Sequence, residues 1–402
     1  MTLLTAPTAP PKSKPNIDSA SWLKRIACIS TSRADSGIYR PLLRALSDQE
    51  AWNVSLLAGG THLDETFGTT ANSLVPIENV QVHVVGHFVR GDSPVCVARS
   101  TGQAVTEFAR AIHQARPDLV FILGDRTEML AAALAATIHS VPIAHLHGGD
   151  ITRGAYDDAC RHAITKLSHV HFPALPHHAD LISKMGEARW RIHAVGALAL
   201  DGLHEFSPLS RDEIYRAIGI DLACPTAIVA YYPETMSEVS PDQQIAALCV
   251  AVEHFEGGLL LIGPNADVGH EAILESLTRL AASRRSTKFA ASLTQRQFWS
   301  CLAHATVLIG NSSAGILEAA SFKLPVVDVG DRQKGRLHPE NVIHAPLDSA
   351  AIRSAIQRAG SADFKRSLSN LVNPYGDGSA ARRIIEVLWT LPERQVVFGK
   401  HA

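Results

Sequence analysis

Short apolar runs alternate with longer amphipathic stretches along most of the chain. Stretches with helical periodicity, such as residues 38–49 and 126–140, separate most of these runs. Continuous apolar strands separated by helices are typical of a parallel sheet that helices cover on both faces. The pattern therefore predicts a doubly wound α/β domain in the first half, with strands at 25–31, 54–60, 118–125, 142–149, 169–174 and 191–196.

The same pattern begins again in the second half of the chain. Apolar runs at 226–233, 257–265, 306–313 and 324–331 predict a second doubly wound domain, joined to the first near residues 197–210. Ligands of such sheets lie beyond the carboxyl ends of the strands, so the chemistry is expected in the loops there. We predict a disordered leader at 1–22, an N-terminal Rossmann-like domain at 23–200 and a C-terminal, nucleotide-binding one at 201–375.

Charge and composition exclude several classes of partner. The formal net charge is only −2, which argues against a nucleic-acid footprint, and no apolar stretch approaches the roughly 18 residues of a membrane span. The six cysteines are scattered, without a CxxC pair or metal-ligand spacing, which is typical of thiols in a reducing compartment. The leader lacks the apolar core of a secretory signal, so we expect a cytoplasmic protein that binds neither nucleic acid nor membrane.

Charged and hydroxyl side chains are concentrated just after the predicted strands of the first half. Because the carboxyl ends of parallel strands meet at one edge of a sheet, these groups are expected to face a common ligand. They are Arg33 and Ser36 after the first run, Asp125 and Arg126 after the third, and Asp157, Asp158 and Arg161 after the fourth.

The second half carries a candidate anion site. Ser312 and Ser313 follow a strand and open a predicted helix, whose N–H groups favour a phosphate, and Arg332 follows one strand later. Simpler interpretations stay open for single residues: Ser312 as a helix cap, Glu318 as a solvated helix residue, Lys334 as an ordinary loop charge. His145 and His147 are similarly more typical of a satisfied core than of a zinc site, which lacks a third ligand.

Six segments together resemble a known family: "TSRADSGIYRPLL", "AGGTHLDETFGTT", "GDRTEMLAAALAA", "HLHGGDITRGAYDDACRHAITKLSHVHF", "GNSSAGILEAASFKLPVVDVGDRQKGR" and "NPYGDGSAARRI". In order and spacing, from about residue 24 to 390, they are similar to the hydrolysing UDP-N-acetylglucosamine 2-epimerases of sialic and legionaminic acid biosynthesis. The resemblance implies two Rossmann-like domains facing across a cleft, as in glycosyltransferase-B folds, with residues 376–402 returning as a helix to the first domain. It also implies a nucleotide-sugar substrate, a homodimer or homotetramer, and no cofactor or metal.

The implied reaction is removal of the C2 proton by a base while the nucleoside diphosphate leaves from C1, followed by hydration of the resulting glycal with protonation of the opposite face of C2. Acid–base groups and cations for the leaving diphosphate are therefore required. By this resemblance Asp125, Asp157 and Asp158 match the active-site carboxylates, and Glu318 fits an acceptor for the ribose hydroxyls. The implied nucleotide-binding positions are Arg33, Ser36, Arg126, Ser312, Ser313, Glu318 and Arg332, to which we add Arg161 as a candidate substrate-binding residue.

Two positions depart from the family pattern. His147 stands where many members carry a catalytic Glu, with Asp150 as the nearest carboxylate, so either is a candidate for proton transfer. Tyr232 stands in the place of a histidine and can donate a hydrogen bond to a phosphate. These departures leave two alternatives open: a glycosyltransferase or nucleotide-sugar hydrolase on the same fold, and a non-catalytic nucleotide-sugar sensor.

Overall fold

A computed structural model of the chain describes residues 22–65, 77–86 and 89–400. Nearly all of the predicted leader, and the end of the motif at residues 58–70, lie outside the described residues. Two six-stranded sheets organise the fold, and all of their strand pairs are parallel. Among the helices of the described ranges, none is both long and apolar enough to cross a membrane.

The first sheet has the spatial order β3-β2-β1-β4-β5-β6. Its strands are β1 Arg25–Ser30, β2 Asn53–Gly59, β3 Val80–Val85, β4 Leu119–Leu123, β5 Ile143–Leu146 and β6 Val170–Phe172. The helices of this half are α1 Arg33–Ser47, α2 Pro94–Ala115, α3 Thr127–Ile138, α4 Asp157–Leu167 and α5 Pro176–Lys184.

The second sheet has the order β12-β11-β10-β7-β8-β9. Its strands are β7 Thr226–Ala230, β8 Gly258–Ile262, β9 Thr287–Ala290, β10 Val307–Gly310, β11 Val326–Val329 and β12 Val342–Ala345. The remaining helices are α6 Arg211–Ile218, α7 Pro241–Glu253, α8 His270–Ser283, α9 Gln295–His304, α10 Ser313–Leu317, α11 Ser349–Gly360, α12 Ala362–Ser367, α13 Ala380–Trp389 and α14 Arg394–Phe398. Two doubly wound, Rossmann-like sheets confirm the predicted fold class.

Continuous apolar sequence explains the central strands. Every residue of β4 and of β7 is buried, because helices cover both faces of each sheet. Burial of one such aliphatic or aromatic side chain contributes about 1.5–3 kcal/mol to folding. Local signals start the helices that follow: the hydroxyl of Ser32 and the carboxylate of Asp35 form a capping box at the start of α1. That turn orients the first residues of α1 toward the strand ends.

The strands that sequence patterns did not predict lie at sheet edges. The predicted strand at 191–196 is wrong, since residues Arg189–Arg191 form a 3₁₀ turn and a single bridge joins His171 to Ile192. Strands β3, β9 and β12 were not predicted, and each of them is an edge strand. An edge strand is covered on fewer sides, and four consecutive residues of β3 are exposed, so no continuous apolar run marks it.

The end of the chain packs against the first sheet. Ile384 and Leu388 of α13 are buried in its core, and Trp389 stacks on Trp52 with ring centroids 4.8 Å apart. The carboxylate of Asp201 accepts hydrogen bonds from the first two N–H groups of α13. The chain thus passes between the domains twice, and the two crossings touch where the N–H of Ala197 donates to the carbonyl of Tyr375. The predicted domain limits themselves stay a prediction.

Candidate active site

Loops at the carboxyl ends of the two sheets meet across a cleft. The Nε of Arg336 lies 2.9 Å from a carboxylate oxygen of Asp150 in the other domain. Backbone bonds reinforce this contact: Arg153 N–H donates to the carbonyl of Lys334, and Met236 N–H to that of Gly154. A Cβ on Gly154 would lie 2.7 Å from the Cα of Arg332, so only glycine permits this approach. The cleft is therefore closed at this point by direct contact.

Two connected cavities lie in the cleft. The carboxylate cavity, of about 180 Å³, is lined by residues of both domains that include Asp125, Arg126, His147, Asp157, Asp267 and Arg332. The aromatic cavity, of about 200 Å³, is lined by Ile38, Tyr232, Phe298, Ser312, Glu318 and neighbouring residues. Both cavities share part of their lining, namely Ala34, Ile38, Asn265, Ser313 and Arg332. An elongated ligand can therefore occupy both at once.

Arg161 organises one wall of the carboxylate cavity. Its guanidinium is 1% exposed and donates to the carboxylates of Asp125 and Asp158, to the hydroxyl of Thr152 and to the carbonyl of Asp150. Burial alone would raise the pKa of Asp125, but the charges of Arg161 and of two further arginines hold it below its usual value. Asp125 is therefore ionised at neutral pH.

Asp157 has the opposite electrostatic environment. It begins α4 and lines the carboxylate cavity. Burial, followed by the negative charges of Asp125 and Asp267, raises its pKa to about 7, although Arg332 and Arg126 oppose the shift. Near neutral pH this carboxyl group can therefore release or accept a proton, beside a carboxylate that stays ionised.

Two arginines supply the positive charge of the cleft. Arg126 has guanidinium nitrogens 3.8 Å from Asp267 and 3.6 Å from Glu128, while Arg332 donates to the carbonyl of Asn311 and lies over the ring of Tyr232. Burial would lower the pKa of Arg126, but the two carboxylates raise it. Within the described part of the chain, the buried Nε of each arginine has no hydrogen-bond partner. Both cations therefore have donors left for an anionic ligand.

His147 lines the same cavity but is held by the backbone. Its φ of 60° lies in the left-handed region, and its Nε2 accepts a hydrogen bond of 3.2 Å from the N–H of Leu198. Burial lowers its pKa to about 4, with a partial opposing effect of Asp150. The ring is therefore neutral at pH 7, with its proton on Nδ1 because Nε2 is the acceptor. His145 is a buried core residue, bonded to Gly124 and Thr165.

Asp150 forms an ion pair between the domains. Besides Arg336, its carboxylate contacts the Nε2 of His178 at 3.3 Å and accepts from the N–H of Ile151. Burial would raise the pKa of Asp150, but Arg336 and then His178 lower it far more. These contacts are those of a structural carboxylate, and its role in proton transfer stays a prediction.

The aromatic cavity holds the other predicted residues of the second domain. Tyr232 exchanges two hydrogen bonds with the side chain of Asn311, through its own N–H and carbonyl groups. The hydroxyl of Ser312 caps α10 by accepting from Ala314 N–H, and Ser313 opens that helix. An oxygen of Glu318 accepts from the indole Nε1 of Trp299 at 2.7 Å. Burial raises the pKa of Glu318 to about 7, against the effect of this hydrogen bond.

Three predicted residues lie at the margin of the site. Arg33 begins α1, and its side chain lies outside the described atoms. Ser36 lies on the same turn, but the residues of α1 that line the cavities are Ala34, Asp35, Gly37 and Ile38. Asp158 accepts from Thr152 N–H and from Arg161, so it fixes the loop before α4. The roles predicted for these residues remain predictions.

Sequence reasoning missed other residues of the cleft. Asn265 and Asp267 follow β8 and line the carboxylate cavity, and the polar end of the predicted run 257–265 was the signal that could have found them. Asn311 fixes both Tyr232 and Arg332 through hydrogen bonds. It directly precedes Ser312 and Ser313, which were predicted. Trp299 lies inside an amphipathic helix, where a tryptophan is typical of the hydrophobic core and gives no sign of a functional role.

The two facing Rossmann-like sheets, with their ligand-sized cleft, define a glycosyltransferase-B-like protein. Residues 44–389 match the family model described as UDP-N-acetylglucosamine 2-epimerase. The chain belongs to this family of enzymes.

Relatives support the assignment over nearly the whole length. A UDP-N,N'-diacetylbacillosamine 2-epimerase (hydrolyzing) from Legionella pneumophila is 32% identical over 94% of this chain and 99% of its own. A UDP-N-acetylglucosamine 2-epimerase from Neisseria meningitidis is 33% identical over 84% of this chain and 88% of its own. Among solved structures, a Neisseria meningitidis UDP-GlcNAc 2-epimerase bound to UDP-GlcNAc covers 91% of this chain and 100% of its own at a TM-score of 0.75 and 14% identity, which shows a shared fold.

Proposed function

We propose that the chain is a hydrolysing 2-epimerase, which converts a UDP-activated 2-acetamido sugar and water into UDP and the free sugar of manno configuration. One observation carries the proposal: two carboxyl groups, Asp125 with a lowered pKa and Asp157 with a pKa raised to about 7, line the interdomain cavity beside Arg126 and Arg332. Acid, base and leaving-group stabilisation are thereby available in one site. Family membership supports the same chemistry.

The nucleotide is assigned to the aromatic cavity and the arginines beside it. Ile38, Phe298 and Tyr232 offer apolar surface to the base, and the free oxygen of Glu318 accepts from the ribose hydroxyls. The diphosphate is assigned to the lining shared by the two cavities, where Arg332 and the start of α10 at Ser312 and Ser313 lie. Positive charge at that point stabilises the diphosphate as it leaves.

The chemistry is assigned to the carboxylate cavity in two stages. Asp125, ionised, removes the proton from C2 while the C1–O bond breaks and the electron pair of that bond leaves with the diphosphate. The product is a glycal and UDP. Water then adds its oxygen to C1, and Asp157, protonated, delivers a proton to the opposite face of C2. Asp157 recovers its proton from the added water, and Asp125 passes the abstracted proton to the departing UDP or to solvent, so both groups are restored.

The remaining polar residues of this cavity are assigned to positioning. Arg161 keeps Asp125 ionised and fixes Asp158, and Asp150 joins the domains through Arg336. His147, whose accepting nitrogen is occupied by Leu198 N–H, is assigned to shaping the cavity. Arg126 lines the carboxylate cavity, where the sugar is assigned, and its positive charge is available to the diphosphate as well.

The sugar is proposed to be either N-acetylglucosamine or a 6-deoxy diacetamido relative. Relatives whose names specify each of these substrates match the chain at 33% and 32% identity, so similarity does not choose between them. Direct competition between the two UDP-sugars, measured as the ratio of kcat/KM, decides the preference.

The decisive test of the reaction uses pure protein, each UDP-sugar and deuterated water, followed by NMR. The proposal requires release of UDP, a free manno-configured product and one deuterium at C2. A free product that keeps the gluco configuration and carries no deuterium would instead identify a nucleotide-sugar hydrolase. Release of UDP only when an acceptor is added would identify a glycosyltransferase. Binding without any release would identify a sensor.

A homodimer or homotetramer remains part of the proposal. Helix α3 is apolar around most of its circumference, yet Leu134 and Ile138 are exposed, the latter at 72%. Such side chains favour contact with a second copy. Light scattering of the protein and of Ile138→Glu tests this surface: the variant should be a smaller species than the parent, and equal masses would exclude this face from the contact.

A further inference from the structure

Trp299 lies beside the aromatic cavity without lining it. Trp299 is 3% exposed on α9, whereas Glu318 follows α10 and lines the cavity. The indole Nε1 donates to Oε1 of Glu318 across 2.7 Å. Trp299 also contributes to the lining of an outer cavity between the domains. The indole therefore lies near both cavities, whose linings share Gln295.

The indole itself is rigidly packed. The ring of Phe206 meets it edge-on, with centroids 5.3 Å apart, and Phe322 lies 6.3 Å away. A glutamate side chain has three rotatable bonds, so an unrestrained carboxylate would sample several positions. With Oε1 fixed by a packed donor, the second oxygen of Glu318 points in a constant direction. Preorganisation of this kind lowers the entropy cost of ligand binding.

We propose that Trp299 is a positioning residue for the nucleotide: it holds Glu318 so that the second carboxylate oxygen accepts hydrogen bonds from the ribose hydroxyls of a nucleoside diphosphate. This inference rests on the proposed function, since Glu318 is the ribose acceptor there. Trp299 does not touch the ligand itself. Its effect is therefore expected in ribose recognition and not in the chemistry at C2.

The test compares UDP with 2'-deoxy-UDP and 3'-deoxy-UDP by calorimetry, in the full chain and in Trp299→Phe. Phenylalanine keeps an aromatic ring but lacks the N–H donor. The parent should prefer UDP over at least one deoxy analogue by roughly five- to tenfold, the effect of one hydrogen bond. Trp299→Phe should lose most of this preference, and kcat for the sugar nucleotide should fall much less than KM rises.

A matched control is available in Trp22→Phe. The indole of Trp22 also donates a hydrogen bond, to the carbonyl of Pro392 at 2.9 Å, but it lies at the base of the first domain. This variant should retain the ribose preference of the parent. If Trp299→Phe retains it as well, the positioning role is overturned while the proposed function stands. If the parent itself fails to distinguish UDP from both deoxy analogues, the assignment of Glu318 in the proposed function fails instead.

A measurement without a substitution at Trp299 covers the case in which that variant does not fold. The chain has five tryptophans, so ¹⁵N-labelled indoles give five resolvable N–H signals. UDP should shift one of them, and Glu318→Gln should move the same signal in the free protein. If no single indole signal responds to both changes, Trp299 does not couple to the nucleotide through Glu318.

Discussion

Asp157 and Asp267 belong to different domains, yet both line the carboxylate cavity, and the charge of Asp267 helps to raise the pKa of Asp157 to about 7. Asp157 begins α4 of the first domain, and Asp267 lies on the loop before α8 of the second. The proton affinity of the first carboxyl group thus depends on the approach of the second domain. Other charges that face Asp157 are those of Asp125, Arg126 and Arg332.

Replacement of Asp267 should move the pH dependence of activity. In Asp267→Asn the nearby negative charge is lost, so the pKa of Asp157 falls and its protonated form disappears at lower pH. The alkaline limb of kcat should therefore shift toward acid, because Asp157 acts as the acid in the hydration stage. Glu271→Gln is the control, because it removes a negative charge from an exposed residue on the first turn of α8. The alkaline limb of this variant should match that of the parent. An alkaline limb that does not move in Asp267→Asn contradicts the assignment.

Asp125→Asn should abolish most turnover while sparing UDP affinity. This carboxylate is assigned to C2 of the sugar, and loss of a general base typically lowers the rate by roughly 10²–10⁴-fold. Because Arg161 would lose an ionised partner, melting temperature is measured on the same samples. Near-parental turnover would remove Asp125 from the mechanism, and so would a loss of UDP binding equal to the loss of rate.

Arg332→Ala should weaken UDP binding without unfolding the protein. One charge-assisted contact to a bound phosphate is worth about 1.5–3 kcal/mol, or roughly ten- to hundredfold in affinity. Lys334→Ala is the matched control, since this lysine lies on the same loop but is 58% exposed and pairs with Asp331. Calorimetry should find a weaker complex only for Arg332→Ala. Equal affinities in the two variants would show that the diphosphate lies elsewhere.

His147→Gln and Asp150→Asn should have different effects. The first tests whether His147 only shapes the cavity, and the second tests whether Asp150 stabilises the contact between the domains. Glutamine can still accept from Leu198 N–H, so His147→Gln should keep turnover within about tenfold, well short of the loss expected for a general acid or base. Asp150→Asn leaves Arg336 without its charged partner, and breaking such a buried pair costs roughly 3–5 kcal/mol of stability. A 10²-fold or greater loss of rate in His147→Gln, at unchanged melting temperature, would restore the histidine as a proton carrier.

The central strands and the strand-end loops could be predicted because their signals are local. Residues 119–123 form an unbroken apolar run, and Asp125 follows after a single glycine, so both the strand and its ligand-facing end are visible in sequence. Asp157 comes from another loop, but the rule that parallel strands end at one edge brings the two together. Edge strands such as β3 carry no such run, since solvent replaces one neighbour.

What sequence could not provide was the state of each side chain. The sequence predicts proton transfer for both His147 and Asp157. In the structure His147 is neutral and its accepting nitrogen is occupied, whereas Asp157 has a pKa of about 7. The difference comes from partners distant in sequence, among them Leu198 and Asp267. The arginines of the loop after β11 likewise differ in their contacts: Arg332 lines both cavities, whereas Arg336 joins the domains. Such long-range contacts leave no local pattern.

The two chain crossings between the domains restrict how the cleft can open. At their contact, Gly196 and Gly376 both adopt positive φ, and a Cβ on Gly376 would lie 3.3 Å from the Cα of Gly196. Two links side by side hold the domains together at this point, so an opening of the cleft would separate Asp150 from Arg336 and Asp157 from Asp267 in the same movement. The pKa of Asp157 would therefore change as the cleft opens, because burial and Asp267 both contribute to it.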